Sequence, residues 1–279
     1  MYKIIGKTIL TPSVSQLDIH APLVVLHAKP GQFVMIRVQS DGERIPLTIA
    51  GINTKTETVS VIFQVVGATT HELNRKQPGD DIADLAGPLG KPTDLEGLKK
   101  VCIIGGGVGC AIAYPIAKAL FDHHTEVHTI IGFRTKSLVF LESEFQQISH
   151  TFHLLTDDGS YQEKGRVTDC LETMLQSGES YDQVIAIGPL PMMKSVSELT
   201  KRYGIKTVVS MNPIMVDGTG MCGGCRVSVD GKMKFACVDG PEFDGHKIDF
   251  DAAILRNRMY QQEEAESYRC QSEKAGEQS

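Results

Sequence analysis

The stretch 217–237 reads Asp-Gly-Thr-Gly-Met-Cys-Gly-Gly-Cys-Arg-Val-Ser-Val-Asp-Gly-Lys-Met-Lys-Phe-Ala-Cys and gathers three of the seven cysteines of the chain, Cys222, Cys225 and Cys237. With Asp217 counted as a first ligand, the spacing is D-x4-C-x2-C-x11-C. Plant-type [2Fe–2S] proteins carry C-x4-C-x2-C and a more distant cysteine; this run matches if a carboxylate replaces the first thiolate. Gly218, Gly220, Gly223 and Gly224 surround the ligands. Glycine lets backbone amides approach the sulfurs and accepts positive φ. Asp230-Gly231 is a two-residue hairpin signal between short strand-like runs. Counting outward from it, Val229 faces Lys232 and Cys225 faces Ala236, so Cys237 folds back beside Cys225. Asp217, Cys222, Cys225 and Cys237 are therefore the candidate metal ligands. Three cysteines and one aspartate also suit tetrahedral zinc. Asp217 also reads as a turn residue, with a fourth ligand elsewhere, and a disulfide would leave one cysteine over.

The rest of the chain must position that loop. Its 279 residues allow two ordinary domains and a small appendage. Hydrophobic residues make up 41% and charged residues 22%, which is the composition of a globular protein. A net charge of −6 argues against a nucleic-acid surface, and no apolar run reaches the length of a membrane span. The N-terminus begins with strand-like alternation rather than a signal-peptide core, so the expected location is a reducing cytoplasm.

Residues 1–97 read as an antiparallel β-barrel, with strands expected at 2–10, 14–20, 34–38, 47–51, 58–65 and 81–86 and turns at Pro22, Pro30-Gly31, Asp41-Gly42 and Pro78-Gly79. Two spots have binding chemistry. Arg44-Ile45-Pro46-Leu47-Thr48-Ile49-Ala50 sets a guanidinium and a hydroxyl at a strand start, suited to a phosphate and ring atoms. Gly67-Ala68-Thr69-Thr70 leads into a helical run at 71–76 and offers amides and hydroxyls to an anion. Arg44 alone also reads as a surface charge, and Thr69-Thr70 as a plain N-cap.

Residues 98–212 read as a doubly wound parallel α/β domain. A short apolar strand at 100–104 runs into Gly105-Gly106-Gly107-Val108-Gly109 and a helix through Phe121, with a kink expected at Pro115. Strands at 126–131, 151–156, 183–187 and 207–210 alternate with helices at 138–148, 168–176 and 192–203. Ligands of such sheets bind beyond the carboxyl ends of the strands. Those ends carry Gly107, Val108, Gly109, Arg134, Asp157, Asp158, Gly188 and Pro189. Arg134 in place of an acid tilts the nucleotide toward NADP(H), and it equally reads as a partner for a pyrophosphate or as a solvent-facing charge. Cys102 and Cys110 read as core residues. Residues 213–279 hold the cluster run, a helix expected at 248–268, a free thiol at Cys270 and a polar tail.

Barrel, nucleotide domain and C-terminal cluster, in this order, resemble the ferredoxin–NADP reductase superfamily, and within it the electron-transfer subunit of dihydroorotate dehydrogenase B. The carriers are Arg44-Ile45-Pro46-Leu47-Thr48-Ile49, Gly87-Pro88-Leu89-Gly90, Gly105-Gly106-Gly107-Val108-Gly109, Thr156-Asp157-Asp158-Gly159 and the cluster run. Asp217, where the dihydroorotate subunit places cysteine, is similar to the small subunit of the electron-bifurcating NADH-dependent reduced ferredoxin:NADP+ oxidoreductases. The resemblance implies FAD against Arg44, Pro46, Leu47, Thr48, Ile49, Gly67, Ala68, Thr69 and Thr70, and NAD(H) at the glycine turn and around Gly188-Pro189. It further implies a [2Fe–2S] cluster, a larger flavin and iron–sulfur partner subunit, and ferredoxin reached through that complex. A nicotinamide gives two electrons as hydride and a cluster takes one at a time, so a flavin between them suits both, and no general acid or base is expected. Other readings are the electron-transfer subunit of dihydroorotate dehydrogenase itself, a subunit of a sulfide dehydrogenase or hydrogenase-linked complex, and a zinc-stapled scaffold.

Overall fold

The computed structural model describes residues 1–260, 262–264, 266 and 269. Cys270 and the tail beyond it lie outside the described residues. The first third is one antiparallel sheet of β1 (Tyr2–Thr11), β2 (Val14–His20), β3 (Phe33–Arg37), β4 (Arg44–Asn53), β5 (Thr58–Gln64), β6 (Asp81–Ile82) and β7 (Asp84–Leu89), in the order β6-β1-β2-β5-β4-β3-β7. Its two edge strands are consecutive in sequence, which curls the sheet into a nearly closed barrel. Register shifts in β1 and β4 bend the strands at the corners. Alternation decides what fills it: Leu17 and Ile19 of β2 and Val59, Val61 and Phe63 of β5 all point inward and are buried. Each such side chain contributes about 1.5–3 kcal/mol.

Two sequence expectations change here. The strand expected at 81–86 is split at Ala83, whose amide bonds the Val38 carbonyl at the end of the adjacent strand β3. Pro22 starts a helix instead of marking a turn: in α1 (Pro22–His27) it stands at the first position, where its missing N–H costs nothing. α1 buries Val24 and Val25 in the barrel core. α2 (Ala68–Arg75) inserts Leu73 there, and the Lys7 ammonium bonds the Asn74 and Lys76 carbonyls at its end.

The second sheet comprises β8 (Lys100–Gly106), β9 (Glu126–Phe133), β10 (Thr151–Thr156), β11 (Glu163–Lys164), β12 (Gln183–Ile187), β13 (Thr207–Ser210) and β16 (Glu242–Asp244). Their order is β11-β10-β9-β8-β12-β13-β16, all parallel except β16. The strand order reverses between β8 and β12, so their carboxyl ends diverge around a crevice. Helices α3 (Cys110–Asp122), α4 (Glu142–Ile148), α5 (Val167–Gln176) and α6 (Leu190–Arg202) cover the faces, and α3 runs through Pro115 as one element. Cys102 and Cys110 are fully buried core residues.

The C-terminal module opens with the hairpin β14 (Arg226–Val229) and β15 (Lys232–Phe235), in the register expected from its turn. Asp230 and Gly231 both have positive φ, 53° and 69°, as a type I′ turn requires. α7 (Phe250–Arg256) follows; of the helix expected at 248–268, residues 257–260 form a turn instead, 262–264 and 266 are helical, and 261, 265, 267 and 268 lie outside the described residues. The module is not an appendage. Its Cys225, Val227, Ala236, Cys237, Phe243 and Phe250 share one hydrophobic core with Val184 and Val209 of the second sheet and Phe33 and Met35 of the barrel. The Lys91 amide bonds the Gly240 carbonyl at 2.7 Å, tying the end of the barrel to it.

Candidate functional site

At the strand-order reversal lies a cleft of about 730 Å³. Gly107, Val108, Gly109, Arg134, Asp157, Gly188 and Pro189 all line it, as their positions at strand ends imply. Asp158 does not; its carboxylate accepts the Ser160 amide at 2.9 Å and shapes the turn. The glycines here have distinct jobs. A Cβ at Gly109 would strike the Ile187 carbonyl, and one at Gly188 would come within 3.0 Å of the Gly106 Cα, so the two strand-end turns touch backbone to backbone. Gly107, at φ 54°, meets nothing within 4 Å and opens onto the cleft. No side chain caps the start of α3, which leaves its first amides to an anion. This cradle fits the pyrophosphate of a dinucleotide. Ser13, Val14 and Gln64 of the barrel close one side.

On β4, alternation separates the expected flavin residues. Leu47 and Ile49 pack into the barrel core, while Arg44, Pro46 and Thr48 occupy the opposite face, the side on which Ala50 meets the core under α3. The exposed Arg44 guanidinium is paired to Asp84, with Arg37 3.8 Å from the same carboxylate. At α2, the Thr70 hydroxyl accepts the amides of Val66 and Gly67, both at 3.0 Å, so it braces the turn. Gly67 brings no side chain to the helix start, and Ala68 and Thr69 stand there half-buried. The arginine, the hydroxyl of Thr48 and the free amides fit a phosphate-bearing cofactor held outside the barrel wall.

In the cluster loop, the Cys225 and Cys237 sulfurs lie 3.2 Å apart and buried, whereas Cys222 is exposed. Burial and the Cys225 thiol push Cys237 up to about 12; a bound metal would hold it as thiolate instead. The Gly224 amide points at the Cys222 sulfur at 3.3 Å and the Cys237 amide at the Cys225 sulfur at 3.5 Å. Asp217 accepts the Thr219 amide at 2.7 Å and the Cys222 amide at 2.9 Å. Gly218, Gly220 and Gly223 all have positive φ. Arg256 of α7 donates to the Gly224 carbonyl at 3.0 Å and pins the loop. Each iron of a [2Fe–2S] centre takes two protein ligands. Cys225 with Cys237, and Asp217 with Cys222, are placed where they would supply them pairwise.

Several cleft residues escape a linear reading: Arg166 at the start of α5, Ser195 on α6, Asn212 after β13 and Asn257 after α7. Only Asn212 carried a signal, since it follows a parallel strand; the others arrive by packing.

Comparison with known proteins matches residues 212–249 to the iron–sulfur cluster binding domain of dihydroorotate dehydrogenase B and residues 103–198 to the oxidoreductase NAD-binding domain. A Thermotoga maritima protein named as a homolog of the dihydroorotate dehydrogenase B (NAD(+)) electron transfer subunit is 45% identical over 275 residues, covering 99% of this chain and 97% of the relative. The electron transfer subunit of Geobacillus thermodenitrificans is 35% identical and covers 88% and 96%. A chain in the structure of the NADH-dependent reduced ferredoxin-NADP oxidoreductase, solved for flavin-based electron bifurcation, is 44% identical with a TM-score of 0.90, covering 96% of this chain and 97% of that one.

Proposed function

We propose, on the premise that this chain belongs to the family of dihydroorotate dehydrogenase B electron-transfer subunits, that it relays electrons between NAD(H) and a partner subunit of an electron-bifurcating NADH-dependent ferredoxin:NADP+ oxidoreductase. Its cofactors are FAD, NAD(H) and a [2Fe–2S] cluster, and together they supply the conversion of a two-electron hydride transfer into single-electron steps. The residues of this chain bind and orient. Gly107 to Gly109 and the start of α3 hold a dinucleotide pyrophosphate, and Arg134 and Arg166 offer cations at the cleft wall. Arg44, Pro46 and Thr48 with the α2 start hold the flavin nucleotide. Asp217, Cys222, Cys225 and Cys237 hold the cluster. We divide these roles over 1–97, 98–212 and 213–279.

The observation that carries this reading is the cluster loop itself. Its paired sulfurs sit in one hydrophobic core with barrel strand β3 and with the second sheet, so the three cofactor sites are built on a common frame. No helix among the described residues is long and apolar enough to cross a membrane. The described cysteines are free, which favours a cytoplasmic setting. The partner is a larger subunit with its own flavin and iron–sulfur centres, and ferredoxin is reached through it. A co-purifying FMN barrel enzyme would assign the chain to a dihydroorotate dehydrogenase instead.

The test is NADH-dependent reduction of a one-electron dye by the purified chain. Turnover with NADH, falling at least about tenfold when NADPH replaces it, is expected. No turnover with either nucleotide from a flavin-loaded chain contradicts the relay.

A further inference from the structure

Three side chains of metal-ligating type converge on the open edge of the second sheet, away from the cluster loop. His153 lies on β10, Glu163 on β11 and Cys170 on α5, and one ligand atom of each lies within 4.8 Å of the other two. His153 Nδ1 stands 2.8 Å from a Glu163 carboxylate oxygen. Cys170 is half-buried, packed against the hydrophobic core under α5, with its sulfur within reach of the His153 and Glu163 ligand atoms. Burial, with the Glu163 charge adding to it, pushes its thiol up to about 12. The strand between them is weakly anchored. Both residues of β11 are exposed, Gln162 before it has φ 51° and Gly165 after it φ 150°, and it pairs only with Leu155 and Thr156.

We propose that His153, Glu163 and Cys170 form a binding site for a borderline-soft divalent cation of the zinc class. Imidazole, carboxylate and thiolate together are a zinc-type donor set, and three protein ligands leave a fourth tetrahedral position to water. Magnesium and calcium require oxygen donors and are disfavoured by the nitrogen and sulfur. Glu163 is more than half exposed, so a small rotation opens the His–Glu contact to the spacing two ligands need on one ion. Binding releases the Cys170 proton to solvent. The ion would clasp β11 to α5 across Arg166, a wall residue of the nucleotide cleft. The site is separate from the Asp217 loop in sequence, and its histidine has no counterpart there.

The test uses the full chain with its iron and flavin counted, dialysed against buffered free Zn²⁺ and then analysed for metal. Wild type should hold one zinc per chain with its iron retained. E163Q, which alters only an exposed side chain, and C170S should each weaken that uptake by more than about tenfold. Uptake that all three proteins share, with or without loss of iron, overturns the proposal, as does no uptake by wild type.

Discussion

Both carboxylate oxygens of Asp217 accept backbone amides, and these bonds hold its carboxyl below the ordinary carboxylate range. The group is therefore ionised and fixed in direction, which a hard iron ligand requires and a turn residue also satisfies. Asp217→Cys separates the two roles. As a ligand change, it should keep about two irons per chain and shift the potential of the cluster; unchanged potential and spectrum would leave Asp217 as a turn residue only. The glycines make a second pair of predictions. Gly109→Ala drives a methyl into the Ile187 carbonyl and should destabilise the fold by about 1–3 kcal/mol. Gly107→Ala meets no atom of the chain and should cost about 1–2 kcal/mol for its φ of 54°, while raising the KM for NADH about tenfold. Denaturant midpoints and NADH titrations check both, and unaltered nucleotide affinity in Gly107→Ala would remove the turn from the binding site. At this scale the sequence was informative where a residue ends a parallel strand, as Arg134, Asp157 and Gly188 do. It was silent where β4 alternation turns Leu47 and Ile49 inward, because a motif does not say which side of a strand faces a ligand.

Among the elements, the hairpin around Asp230-Gly231 was fully legible, since two positive-φ positions admit few alternatives. β16 was not. Its three residues follow Pro241, their alternation is too short to signal a strand, and they become one because β13 presents an open edge. That addition carries Glu242 to a junction of modules, where its carboxylate accepts the Thr93 hydroxyl at 2.6 Å. Burial pushes Glu242 up to about 7, with Asp94 adding to the shift. The folded state therefore binds a proton there that the unfolded chain has lost above its ordinary value of 4.5. Stability from this group is complete below that value and falls as pH rises through about 7, by up to about 3 kcal/mol. Glu242→Gln keeps an acceptor for Thr93 without the charge. The stability difference between wild type and this variant should shift against wild type between pH 5 and pH 8. Parallel pH profiles from denaturant titrations would show that Glu242 titrates as an exposed acid.

For the whole molecule, the order of barrel, α/β sheet and cluster module was readable from changes in periodicity. The shared core was not, because Met35, Val209 and Phe243 each look like ordinary core residues of separate units. Their contact is what places a cluster loop, a dinucleotide cleft and the outer face of β4 on one rigid frame. An electron relay needs that arrangement, since the protein contributes position and the cofactors contribute reactivity. The most direct test is an anaerobic absorption spectrum of the purified chain, with flavin, iron and zinc counted, before and after NADH. Flavin and about two irons per chain, with both chromophores bleached by NADH, is the predicted result. Zinc in place of iron, no flavin and no bleaching would contradict the relay and leave a scaffold.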